Sequence, residues 1–256
     1  MVAPANGVIT ANTFGSNYDT VLAGLLGTCG AFSIQACNDD NGGLQSLISF
    51  PVTGGATYFL EITSYGGGSG GTLALDVSFA PTPLCGSGPA ACRTPTVGGK
   101  AYLALTDKAD EKDQLQWKWA AGAATSKGEF GNPVTTDQYA LCLYDATGLL
   151  ATLTAPAGGT CGTKACWADK PKGWQYKDEE ASPSGITQLQ LSAGLDGKAK
   201  IQVKGKGLNL PDLDLSMRAS PVTVQLQPGS GGVCFGATYS APALKNDGVQ
   251  FKDKAD

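Results

Sequence analysis

The feature that most constrains this chain is alternation of apolar and polar side chains at a period of two. In "QLQWKW", Leu115, Trp117 and Trp119 fall on one face and Gln114, Gln116 and Lys118 on the other. Ile48, Phe50 and Val52 repeat the pattern, as do Tyr58, Leu60 and Ile62, then Leu73, Leu75, Val77 and Phe79, then Tyr139, Leu141 and Leu143. A period of two is the signature of half-buried strands, and no segment sustains the 3.6-residue period of a helix. With 36 glycines and 14 prolines cutting 256 residues into short runs, the pattern predicts an all-β protein of two β-sandwiches joined by a Pro/Gly/Cys linker. "SYGGGSGG", 64–71, reads as a hairpin between two strands of the first. "ITQLQLSAGLDGKAKIQVKGKG", 186–207, reads as a hairpin of the second, turning at Gly194–Gly197.

Charge divides the chain. Residues 1–92 hold no lysine or arginine and five acids, Asp19, Asp39, Asp40, Glu61 and Asp76, whereas all 18 basic residues lie beyond, so the net charge of −4 is −5 on the first part and +1 on the second. "APTPLCGSGPAACRTPTVGG", 80–99, sits at the break and reads as a linker. The predicted organisation is a first sandwich over 1–80, a linker over 81–98 and a second sandwich over 99–256.

Eight cysteines and no histidine narrow the chemistry. Zinc would have to be held by cysteines alone, and none of the spacings is a C-x-x-C. An even count in a loop-rich β chain points to disulfides and an oxidising, extracellular or cell-surface location. Proximity in sequence predicts Cys29–Cys37, Cys85–Cys92 and Cys161–Cys166, leaving Cys142–Cys234. The N-terminus has neither the basic start nor the apolar run of a signal peptide, so a secretion signal is expected either to have been removed or to belong to a longer chain. No run of 18 apolar residues reads as a membrane span.

The first part carries a further signal. "SNYDTVL", "ACNDD", "GATYFLEI" and the closing "GTLALDV" together resemble the bacterial pre-peptidase C-terminal domain over about 70 residues. The resemblance implies a small extracellular β-sandwich of the kind appended to secreted peptidases and hydrolases. Its relatives include collagen-binding domains, some of which bind calcium. The family's opening strands have no counterpart before "GVITANT". The expectation is therefore either that strands from another segment or a neighbouring subunit complete the sandwich, or that the first half of the domain has been cut off. The second part, with "WKW", "YALCLYD" and "GKAKIQVKGKG", resembles a region recurring in secreted proteins of environmental bacteria to which no activity is attached.

Candidate sites follow from residue chemistry. Asp19, Asn38, Asp39 and Asp40 supply hard oxygen donors in one region without a basic residue to neutralise them, so they are candidate calcium ligands, with Asn41 beside them; a turn capping strand ends is the other reading. Adjacent carboxylates at a strand end point apart and suit glycoside hydrolysis poorly. Asp107, Asp110, Glu111 and Asp113 read as a solvated hairpin tip or a second cation site. Trp117 and Trp119 share the face of Leu115 and read as core. Trp167 and Trp174 flank the Cys161–Cys166 loop and are the candidate contact surface. The lysine stripe Lys198, Lys200, Lys204 and Lys206 reads as a charged outer face or a polyanion contact; a pI near 4.9 without interleaved aromatics disfavours nucleic acid. The absence of histidine excludes Ser-His-Asp and Cys-His sites, and no cofactor fingerprint appears. The function expected is that of a secreted, non-enzymatic bacterial structural or adhesive protein that assembles with copies of itself. The alternative is a polysaccharide- or protein-binding accessory module of a secreted hydrolase or peptidase.

Overall fold

The computed structural model describes residues 1–256 apart from Ala5, Asp214, residues 216–218, Ser230 and the side chain of Asp110. It is all-β and divides into two compact units, Met1–Pro83 and Leu84–Asp256.

In the first unit, β1 (Gly7–Asn12) lies between β4 (Leu47–Val52) and β6 (Asp76–Pro81). β2 (Thr20–Thr28) lies between β3 (Ala31–Asn38) and β5 (Tyr58–Ser64). All pairings are antiparallel. Inward residues of the two sheets, among them Ile9, Leu22, Ile48, Phe50, Val52 and Tyr58, form one core. Position 24, inward on β2, is a glycine because the Phe50 ring occupies the space a Cβ would need. The hairpin predicted at 64–71 does not form. β5 and β6 belong to different sheets, and the glycine-rich segment between them carries the chain from one sheet to the other. Leu73 and Leu75 precede β6 and are exposed, while Val77 and Phe79 pack on the core.

In the second unit, eight strands form one antiparallel sheet: β13 (Trp167–Lys170), β14 (Gly173–Lys177), β15 (Ile186–Ser192), β16 (Ala199–Lys206), β8 (Gln114–Gly122), β7 (Ala101–Thr106), β20 (Gln250–Lys254) and β19 (Lys245–Asn246), in that order. The predicted hairpin over 186–207 is β15 and β16. A second sheet holds β10 (Gly148–Ala155), β9 (Tyr139–Asp145), β17 (Val222–Pro228) and β18 (Phe235–Tyr239). A short hairpin of β11 (Thr160–Cys161) and β12 (Lys164–Ala165) stands apart. Trp117 and Trp119 are fully buried between the sheets, and their indole N–H groups donate to Tyr239 Oη at 3.0 Å and to the Gly236 carbonyl at 3.1 Å.

The cysteine pairing differs from that expected by proximity. The bridges are Cys85–Cys142, Cys92–Cys234 and Cys161–Cys166, while Cys29 and Cys37 are free and exposed. Cys29 lies in the β2–β3 turn and Cys37 pairs in register with Ala23 far along β3. That is a separation of roughly 20 Å of extended chain, whereas a bridge requires Cα atoms within about 7 Å. Cys85 and Cys92 do not clasp each other because each meets the second sheet. Leu141 and Leu143 point into the core, so Cys142 between them points outward, where it meets Cys85 beside Leu84 and Tyr144. The amide of Gln225 holds Ala90 through both its backbone groups, at 3.0 and 2.6 Å. Arg93 then pairs with Glu129 at 2.5 Å and holds that carboxyl down at about 2. Residues 84–93, expected in the linker, are thus fastened to the second unit. β9 is buried on both faces for the same reason.

Cys92–Cys234 closes a separation of 142 residues and Cys161–Cys166 one of only 5. In the chain-entropy limit the first stabilises by about 5 kcal/mol and the second by roughly 2 kcal/mol. Non-reducing peptide mapping is expected to return these three bridges and two free thiols, and Cys92→Ala/Cys234→Ala to lower the denaturation midpoint more than Cys161→Ala/Cys166→Ala.

Candidate functional site

The loop joining β3 to β4 is built around a buried knot of hydroxyls. Thr13 Oγ1 and Thr20 Oγ1 lie 2.7 Å apart, the Ser46 amide donates to Thr13 Oγ1 at 2.8 Å, and the Ser46 hydroxyl lies 2.7 Å from the Asp39 carbonyl it bonds. Thr13, Thr20 and Ser46 are all fully buried, so these bonds are made in a low-dielectric setting that fixes the loop. The knot draws the end of β3 against the start of β2. One carboxylate oxygen from each of Asp19, Asp39 and Asp40 then falls within 4.8 Å of the others, the only such metal-capable group of three or more among the described residues.

Asn38, expected among the ligands, uses both ends of its amide on the loop. Its oxygen accepts from the Leu47 amide at 3.0 Å and its nitrogen donates to the Asp40 carbonyl at 3.1 Å. It shapes the site that the three aspartates occupy. Asn41 closes the loop through its backbone to Gln45 at 2.9 Å.

The electrostatics of the trio are one-sided. The Oδ1 atoms of Asp19 and Asp39 are sealed from solvent and have no hydrogen-bond partner. Burial, then the charges of Asp40 and Asp19, push the Asp39 carboxyl above its ordinary value of 3.8. The first unit has no lysine or arginine to offset this, and its terminal ammonium bonds the Tyr58 carbonyl instead. Three hard anionic donors, two of them each with a sealed and unpartnered oxygen, form a chemical match to a divalent cation such as calcium.

The remaining sequence candidates are dispersed. At the β7–β8 tip Asp113 accepts from the Lys108 amide at 2.7 Å, which makes it a turn residue; the side chain of Asp110 lies outside the described residues. Trp167 and Trp174 do not form a contact surface. Both occupy inward positions on β13 and β14, at 3% and 8% exposure. The Trp167 ring packs against Tyr139 and Tyr176 and its N–H donates to the Pro156 carbonyl at 2.7 Å. Trp174 is capped by the Lys127 ammonium, 4.5 Å from the ring centre.

A feature that sequence reading missed is the outer face of the β3–β2–β5 sheet. With Gly24 pointing inward, its neighbours Ala23 and Leu25 point outward, and register places Ile34 and Phe59 on either side of Leu25. Phe32 stacks near Phe59 at 5.0 Å. Ile34 is 69% exposed, Phe32 40% and Phe59 37%. The alternation in β3 is broken by the extra residue Gln35, a bulge that hides the pattern.

A carboxyl whose folded pKa is raised contributes stability below its unfolded value and loses it as pH rises through the folded one. In EDTA, the first unit is therefore expected to lose stability as pH climbs from 3.8, and Asp39→Asn to flatten that loss. All four tryptophans lie in the second unit, so the transition to follow is one seen by circular dichroism and not by tryptophan fluorescence. A pH-independent transition in the unsubstituted protein contradicts the electrostatic description of the trio.

Comparison with known protein families, with curated proteins and with solved structures finds no match.

Proposed function

We propose that the chain is a secreted, non-enzymatic structural or adhesive protein that associates with copies of itself through the outer face of the β3–β2–β5 sheet. The observation that carries this reading is the exposed apolar row of Phe32, Ile34 and Phe59 around Leu25. An antiparallel sheet with one solvated face ordinarily presents polar side chains there, and contiguous apolar surface marks contact sites. A second copy is the occupant that needs no other molecule: a two-fold contact places the same patch on both sides. The neighbour expected from the family resemblance to complete the first sandwich then adds a layer outside it, because the two three-stranded sheets already share a core.

Three disulfides support an oxidising environment, and no helix of the described residues is long and apolar enough to cross a membrane. The absence of histidine supports a role outside catalysis. In this reading calcium sits among Asp19, Asp39 and Asp40 and braces the β3–β4 loop at one end of the docking sheet.

Light scattering is expected to show an assembly for the unsubstituted chain and a monomer for Ile34→Lys/Phe59→Lys, whose second unit keeps its tryptophan emission. A monomer in the unsubstituted chain, or an assembly unaffected by the two lysines, rejects the reading. Calcium is expected to raise the midpoint of the first unit's transition and EDTA to lower it. Asp39→Asn is expected to respond to neither.

A further inference from the structure

The outer face of the eight-stranded sheet has an unusual side-chain grid. Its outward positions on β15, β16, β8, β7 and β20 carry no aspartate or glutamate. They carry Lys200, Lys204 and Lys206 from β16, Lys118 from β8, and Lys252 and Lys254 from β20. None of these six ammonium groups is in an ion pair among the described residues. Between them stand glutamines in a regular relation. Across the strands Lys118 is in register with Gln202, which is in register with Gln190; one row over, Gln116 meets Lys204, which meets Gln188. Lys204 thus has a carboxamide on each side across the strands, about 4.8 Å away, whereas Lys118 lies between Gln202 and Tyr102, and Lys200 faces Ser192 with Gln202 the next outward residue about 7 Å along its own strand.

The surface is also hollowed. A shallow depression of about 610 Å³ lies between Tyr102, Gln116, Lys204 and Lys252, and another of about 170 Å³ lies between Lys118, Gln190, Lys200 and Gln202. Acids stand at the margins of this face, among them Asp113 at the β7–β8 tip, Asp196 in the β15–β16 turn and Asp247 in the β19–β20 turn, the last paired with Lys245 at 3.0 Å. Its positive charge is segregated in a chain whose net charge is −4.

We propose that this face binds an acidic polysaccharide, a polymer bearing carboxylates and hydroxyls in alternation. A uronate unit presents an anion for an ammonium and neighbouring hydroxyls that both donate and accept, which is what the carboxamides standing among the lysines can match. A phosphate backbone would use the lysines but leave the glutamines idle, and a flat sheet enters neither groove of a duplex. Shallow open depressions suit a chain lying across the strands, with ammonium groups attracting it and amides setting its register. The surface belongs wholly to the second unit and does not depend on self-association of the first.

The test uses the full chain with polygalacturonate as probe, in EDTA so that calcium cannot bridge carboxylates to the aspartate trio. Neutral dextran and double-stranded DNA serve as comparisons, and affinity is measured by titration calorimetry. Binding to polygalacturonate is expected to weaken steadily as salt rises. Lys118→Gln/Lys200→Gln/Lys204→Gln is expected to lower the affinity by roughly 30-fold or more at low salt. Gln190→Ala/Gln202→Ala is expected to lower it severalfold at a salt concentration where charge is screened. Unchanged tryptophan emission checks that the variants fold, and Ile34→Lys/Phe59→Lys should bind as well per chain as the unsubstituted protein. No binding, equal affinity in the triple variant, equal binding of dextran, or tighter binding of DNA would each overturn the proposal.

Discussion

Two indole rings at successive inward positions of β8 set the architecture of the second unit. Trp117 and Trp119 are too large to be accommodated by one sheet alone, and each carries an N–H that must find an acceptor once buried. Both acceptors, Tyr239 Oη and the Gly236 carbonyl, come from β18 in the opposite sheet. The hydrogen bonds therefore fix how the sheets stack as well as satisfying the rings. Gly122, at the end of β8, is required because the Trp119 ring fills the space a side chain would take. Once those rings point inward, the strand's period of two forces Gln114, Gln116 and Lys118 outward. The cationic amide grid is thus the reverse side of the tryptophan core, and neither could shift register without exchanging places with the other.

The first unit is balanced differently. Its core is smaller and contains no tryptophan, and its five acids have no side-chain cation to answer them. Stability at the β3–β4 loop comes from hydroxyl-to-backbone bonds among Thr13, Thr20 and Ser46, which remain neutral at any pH. Those bonds are what force Asp19, Asp39 and Asp40 together. A loop that needed only to turn could have let the carboxylates splay into solvent. Instead two of their oxygens are sealed and unmatched, an arrangement that is costly unless a cation compensates it.

How far the sequence could be read depends on whether a property is local. Strand faces such as Ile48, Phe50 and Val52, or Leu115, Trp117 and Trp119, were legible because alternation belongs to the strand itself. The aspartate trio was partly legible, since Asp39 and Asp40 are neighbours and Asp19 stood out as an uncompensated acid. Disulfide partners were not, apart from Cys161–Cys166 in a short loop. Whether Cys142 faces in or out follows from Leu141 and Leu143, but which segment crosses that face is a matter of tertiary path. Trp167 and Trp174 misled for a related reason, since proximity to a disulfide loop says nothing about the sheet face on which a ring lies. The apolar row of β3 escaped notice because the bulge at Gln35 shifts Phe32 and Ile34 to the opposite sequence parity from Cys37, although all three share one side of the sheet.

Edge treatment within this one chain supports reading that row as a contact. The eight-stranded sheet ends in β13 and β19, both short, the first bearing Asp169 and Lys170 and the second Lys245. β18 is covered by the segment around Arg93, and β10 carries a bulge and has its Thr154 amide bonded by Ser184. In the first unit β4 has Pro51, β5 has Glu61 and β6 has Asp76 and Pro81. These are the devices by which sheets avoid joining other chains. β3 has its bulge, but over Ala31–Asn38 it has no charge and no proline, and it leaves Ile34 more exposed than Phe32 or Phe59 beside it. The chain protects its other edges with charge, proline, brevity or cover. The strand on which it uses the least protection is also the one bearing exposed apolar side chains, and that coincidence is expected of a surface kept open for a partner.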